Sequence, residues 1–180
     1  MKLYHFTTER GARDIFSSML IRASAPNPLN GGMVSLTTDK DSSGHGLLDG
    51  REVTSSLAVT QLGGRIQEVG GRFYCHDHTA WRIAIDLEPS NPGLMRATTC
   101  HPVNQMLALD IAAAYPEYAD LPEHLLMQAL HDLRAGLRVP KSPTWWYYKG
   151  DLALPPGTLF EKRADGGAYV QSEPPTSGSQ

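Results

Sequence analysis

Lys2-Leu3-Tyr4-His5-Phe6-Thr7-Thr8 opens the chain as a run of aromatic and β-branched residues ending in hydroxyls, which reads as a first β-strand running into a helix start. Successive side chains on a strand point to opposite faces, so His5 stands on one side and Tyr4 and Phe6 on the other. This reading puts the aromatics in the core and His5 in the open. Thr7 or Thr8 can then cap a helix over Glu9 to Leu20, placing His5 beside a helix N-terminus whose free N–H groups favour an anion.

A second strand, Met33-Val34-Ser35-Leu36-Thr37-Thr38, alternates in the same way. Val34 and Leu36 fall on one face, with Ser35 and Thr37 on the other. If this strand neighbours the first, the two hydroxyls share a side with the site. Between the strands, the Pro-, Asn- and Gly-rich segment 22–32 reads as a loop. Residues 39–50, Asp-Lys-Asp-Ser-Ser-Gly-His-Gly-Leu-Leu-Asp-Gly, read as a mobile loop of the kind that carries binding groups, with His45 exposed on it. The loop holds no Walker pattern.

Further along, Arg72 to Cys75 and Trp81 to Leu87 read as the two arms of a β-hairpin, while residues 51–71 fit strand and loop equally. Helices are expected from His101 to Tyr115 and from Pro122 to Ala135, each with an apolar stripe for the core. Trp145-Trp146-Tyr147-Tyr148 is a strand with two aromatics on each face, so one pair can pack inward while the other lines a cleft and stacks a flat ring. From Gln171 the sequence is Ser-, Pro- and Gly-rich and reads as a disordered tail, leaving residues 1–170 as a single α+β domain.

The whole chain bounds the function. Its 180 residues, 41% of them hydrophobic, suffice for one core. A net charge of −3 gives no general attraction to nucleic acid or membrane surfaces. No apolar run approaches the roughly 20 residues that span a bilayer, and no signal-peptide pattern opens the chain, so a cytoplasmic protein without membrane association is expected. Cys75 and Cys100 read as reduced thiols. Cys75, His76 and His78, with Cys100 and His101, are ligand types for zinc, but neighbours on a strand diverge and no CxxC or HExxH spacing occurs, so no metal is assigned.

The run Leu3-Tyr4-His5-Phe6-Thr7 with its following helix, together with Val34-Ser35-Leu36-Thr37-Thr38, resembles the ADP-ribosyltransferase-like fold, which includes the diphtheria-toxin-type transferases, DNA-targeting toxins and RNA 2′-phosphotransferases. The resemblance implies two small β-sheets flanked by helices around an NAD-binding cleft. It implies transfer of ADP-ribose from NAD, consumed as substrate, to a macromolecular target, protein or nucleic acid. His5 then holds the ribose, while Thr7, Ser35 and Thr37 hold the amide or phosphates. Tyr147 or Tyr148 stacks on nicotinamide, and Glu161, the nearest glutamate downstream of the Thr144-Trp145-Trp146 run where the family's glutamate is expected, supplies the carboxylate. A non-catalytic nucleotide- or protein-binding module on the same fold, an RNA 2′-phosphotransferase-like enzyme and a metal-dependent hydrolase are the alternatives.

Overall fold

The computed structural model describes residues 1–24 and 32–174, so most of the 22–32 loop and the tail beyond residue 174 lie outside the described residues. The first half comprises β1 (Lys2–Thr7), α1 (Glu9–Ser18), β2 (Leu20–Ile21), β3 (Met33–Thr37), α2 (Ser56–Leu62), β4 (Ile66–Val69), β5 (Arg72–Cys75) and β6 (Trp81–Asp86). The second comprises β7 (Leu94–Arg96), α3 (Ala97–Cys100), α4 (Val103–Ala112), α5 (Glu123–Arg134), β8 (Trp145–Lys149), β9 (Leu152–Ala153), β10 (Leu159–Arg163) and β11 (Tyr169–Gln171). No described helix is long and apolar enough to cross a membrane.

The architecture is mixed helix and sheet, but the main sheet is one rather than two. Its seven strands run in the order β11-β10-β6-β1-β3-β8-β7, with β2-β9 and β4-β5 as separate ribbons. β1 pairs antiparallel with β6 along its whole length, from Lys2–Asp86 to Thr7–Trp81. Towards β3 it forms the pair Tyr4–Thr37 and no other. The sheet therefore parts between β1 and β3.

One face carries the core. Leu3, Val34, Leu36, Trp81, Ile83, Ile85, Trp146 and Phe160 form one buried cluster with Ala12 and Ile15 of α1. The expected sides of β1 are thus reversed: Leu3 is fully buried opposite Ile85, and Tyr4 and Phe6 stand on the partly open face. α1 decides this, because its apolar side covers the Leu3 row. Thr8 caps α1, its Oγ1 accepting from the Gly11 N–H at 3.0 Å.

Two pairings differ from the sequence reading. β5 pairs with β4 rather than with β6, through a turn at Gly70-Gly71 in which both glycines have positive φ, 58° and 77°. Such a two-residue turn matches the twist of its strands, and the glycine pair was its signal. Gln171, the expected start of the disordered tail, instead ends β11 opposite Glu161, and the Ser172 N–H donates to the Phe160 carbonyl at 2.9 Å.

α1 lies so close to β1 that a Cβ at Gly11 would stand 2.1 Å from Thr7 Oγ1. Gly11→Ala is therefore expected to destabilise by about 1–3 kcal/mol, as overpacking does, in place of the roughly 1 kcal/mol that alanine usually gains over glycine in a helix. Thr7→Ala in the same chain should restore the gain. Urea unfolding of both variants checks this, and a neutral single variant would show that Thr7 rotates freely out of the way.

Candidate functional site

The parting of β1 and β3 opens a cleft of about 340 Å³ lined by Tyr4, His5, Phe6, Ser35, Leu36, Thr37, His45, Leu47, Trp145, Trp146 and Tyr147. That volume sits at the low end for small-molecule sites. Where the backbone ladder stops, a side chain takes over: His5 Nδ1 meets the Ser35 carbonyl at 3.0 Å. A carbonyl only accepts, so Nδ1 is the donor, and neutral His5 keeps its lone pair on Nε2. Enclosure by the cleft pushes the His5 pKa down; the bond to Ser35 opposes this and nearby His78 adds to it.

The expected residues divide. Ser35 is exposed on the cleft wall, directly opposite Tyr147 of β8. Tyr147 packs edge-on against His101, ring centroids 5.5 Å apart, and burial raises its phenol pKa, with Cys100 adding to the rise. Thr37 also lines the cleft, but its hydroxyl is engaged. Thr144 Oγ1 donates to the Lys141 carbonyl at 2.7 Å and so accepts from Thr37 Oγ1 at 2.8 Å, while Thr37 Oγ1 accepts from the Asp39 N–H at 3.0 Å. It ties β3 to the turn before β8.

Three expectations are corrected. Thr7 faces α1 instead of the cleft, and the α1 N-terminus contributes nothing to the lining. Tyr148 belongs to the inward pair with Trp146, packed on the core and over Gly93, where a Cβ would come within 2.9 Å of its ring. Glu161 lies outside the lining, two strands from β1, paired with Arg82 at 2.7 Å. Arg82 is itself held between the rings of Tyr4 and Tyr169, 4.8 and 4.4 Å from their centroids, and donates to the Lys40 carbonyl. The strand alternation puts Glu161 on the cleft's face, but the neighbouring β6 supplies a guanidinium that neutralises it.

The 39–50 loop contributes what the sequence reading missed. His45 is not exposed: its side chain is 5% accessible, between Phe6 and Trp145. Gly44 and Gly46 turn it inward, with φ of 78° and 72°, and a Cβ at Gly46 would stand 3.0 Å from Ala113 Cα. The Gly-His-Gly triplet was the available signal. Trp145 Nε1 donates to His45 Nδ1 at 2.8 Å. Across the ring, Asp39 is bound by Lys141 Nζ and by the Asp41 N–H at 3.0 Å. Burial alone would raise the Asp39 carboxyl, but these bonds and the adjacent charges hold it below its ordinary 3.8.

The cysteine and histidine candidates for a metal are dispersed. Cys75 is buried with Leu48, Val53 and Leu62, whereas His101 packs on Tyr147. Among the described residues, no group of three or more His, Cys, Asp or Glu side chains is placed to hold a metal ion. Scans of protein-family models, curated proteins and solved structures find no match to the chain.

His5, His45 and His78 all sit below the ordinary imidazole value of 6.5, burial being the first cause in each. The unfolded chain therefore binds more protons as pH falls through that value, so stability is complete above it and declines below it. Thermal unfolding should show the midpoint falling between neutral pH and pH 5, with a further loss as Asp39 protonates below 3.8. A midpoint flat across the first window would contradict the burial of these imidazoles.

Proposed function

We propose that the cleft binds the nicotinamide–ribose half of NAD and that the protein transfers ADP-ribose from it to a macromolecular target. The observation that carries this reading is His5 bridging the parted strands to Ser35, which leaves an acceptor nitrogen beside an aromatic slot. A ribose hydroxyl donates to His5 Nε2. The pyridinium lies among Tyr4, Phe6, Trp145 and Tyr147, where no lysine or arginine contributes to the lining. Aromatic faces attract a cation, so the oxidised ring fits better than the reduced one.

The phosphates need donors that the cleft lacks. Beyond Leu47, a second cavity of about 230 Å³ gathers Arg51, Arg138 and Arg163. Arg51 is paired with Glu117 and Arg163 with Asp77. Arg138 reaches the Gly44 carbonyl at 3.5 Å and meets no carboxylate among the described residues, which leaves it for the diphosphate. A second reading, a nucleotide-binding module without turnover, is favoured by the Glu161–Arg82 pair, because no described carboxylate lines the cleft to stabilise a developing ribose cation.

Incubation with nicotinamide-labelled and, separately, adenylate-labelled NAD and a lysate tests both. Nicotinamide release with label on protein or nucleic acid is expected, reduced about tenfold or more by His5→Ala through the lost hydrogen bond. Release unchanged in that variant would sink the assignment of His5, and saturable binding without release would select the module. Arg138→Ala is expected to weaken NAD binding while leaving nicotinamide binding intact. Calorimetry with both ligands checks it, and equal loss for both would remove the diphosphate from Arg138.

A further inference from the structure

The tautomer of His45 is fixed by its partner. An indole N–H only donates, so His45 Nδ1 carries a lone pair and Nε2 carries the proton. Nε2 is buried without a hydrogen-bond partner, 3.5 Å from Asp39 Oδ2. The carboxylate is fixed in turn: Lys141 holds it, and the Lys141 and Ser142 N–H groups both donate to buried Asp110 at 3.0 Å. A carboxylate, an imidazole N–H facing it and a lone pair on the far nitrogen are the parts of an oriented base.

We propose that His45 is the general base of the cleft, oriented by Asp39 and masked by the Trp145 indole, and that it activates the acceptor hydroxyl of the transfer. This rests on the reading of the cleft as an NAD site. Once the indole N–H turns aside, an acceptor O–H, from a target or from water, donates to His45 Nδ1. The new oxygen–C1′ bond forms as the C1′–nitrogen bond breaks. The electron pair of the broken bond returns to the ring, which leaves as neutral nicotinamide. The acceptor proton passes to Nδ1, and the positive charge lost from the pyridinium reappears on an imidazolium whose Nε2–H closes on the Asp39 carboxylate. The base thus enters from the 39–50 loop instead of from a strand.

The groups facing His45 agree with this role. Burial lowers its proton affinity, the Asp39 charge raises it and the Lys141 charge lowers it again; the net result is a neutral imidazole at physiological pH. Phe6 and Trp145, its ring neighbours, do not titrate there.

NAD hydrolysis by the purified 180-residue chain, with water as acceptor, tests the proposal when followed from about pH 5 to 9 alongside NAD binding. His45→Gln is expected to lower kcat about 100-fold or more with little change in Kd, and to abolish an acid limb centred below 6.5. Asp39→Asn should lower kcat and displace that limb. Trp145→Phe, which keeps the ring but removes the donor, should raise kcat. Binding and turnover in His45→Gln with kcat and limb unchanged would overturn the base and leave the NAD reading standing, whereas a wild-type chain that binds no NAD would overturn that reading and the proposal with it. Nitrogen NMR of the imidazole gives a readout independent of NAD: protonation at Nε2 with a pKa below 6.5 supports the base, and protonation at Nδ1 overturns it.

Discussion

Two neighbouring strands that cease to pair create the site. After Tyr4–Thr37, β1 and β3 make no further ladder pair, and the His5 imidazole reaches across to the Ser35 carbonyl in place of a backbone N–H. A sheet edge opened in this way leaves polar backbone groups that need partners, and a side-chain donor at the opening satisfies one of them. The same bond selects the His5 tautomer. The acceptor nitrogen available to a ligand is thus set by the way the sheet is repaired.

The opening survives because each bank is anchored from behind. β1 stays fully laddered to β6, and β3 is laddered to β8 from Met33–Lys149 to Thr37–Trp145. α1 covers the core face, with Ala12 and Ile15 buried beside Leu3 and Ile83. On the other face, Arg82 links Tyr4, Tyr169, Glu161 and the Lys40 carbonyl, which ties the 39–50 loop to the sheet. The Arg82–Glu161 pair thereby sits beside the cleft as a strut, and Arg163–Asp77 braces the neighbouring cavity. Their partly buried charges are matched locally, so neither carboxylate is free to serve a ligand.

The cleft is aromatic and carries no formal charge on its lining, while ionised Asp39 stands one residue behind the wall, separated by His45. Flat faces line the cleft, and the His45 imidazole stands between aspartate and indole, keeping the carboxylate off the lining. Burial is the largest cause of the lowered His45 pKa and outweighs the opposing pull of the Asp39 charge, so the imidazole stays neutral at physiological pH.

The sequence by itself determined the elements whose pattern is local: β1, α1, β3 and β8 as strands and helix, the split of Val34 and Leu36 from Ser35 and Thr37, and the division of the four aromatics into two pairs. Each follows from side-chain periodicity along a single segment. Which side of β1 faced the core, which aromatic pair faced the cleft, and the pairing of β5 with β4 were decided only by the tertiary structure, because each depends on what packs against the segment. The same holds for Glu161, whose availability was fixed by an arginine 79 positions away in sequence. It holds most for His45, which a glycine-rich loop made look exposed: only the meeting of residues 39, 45, 141 and 145 turns a loop histidine into a buried one with a defined tautomer. Local sequence encodes alternation, whereas burial and protonation depend on neighbours brought together by the fold.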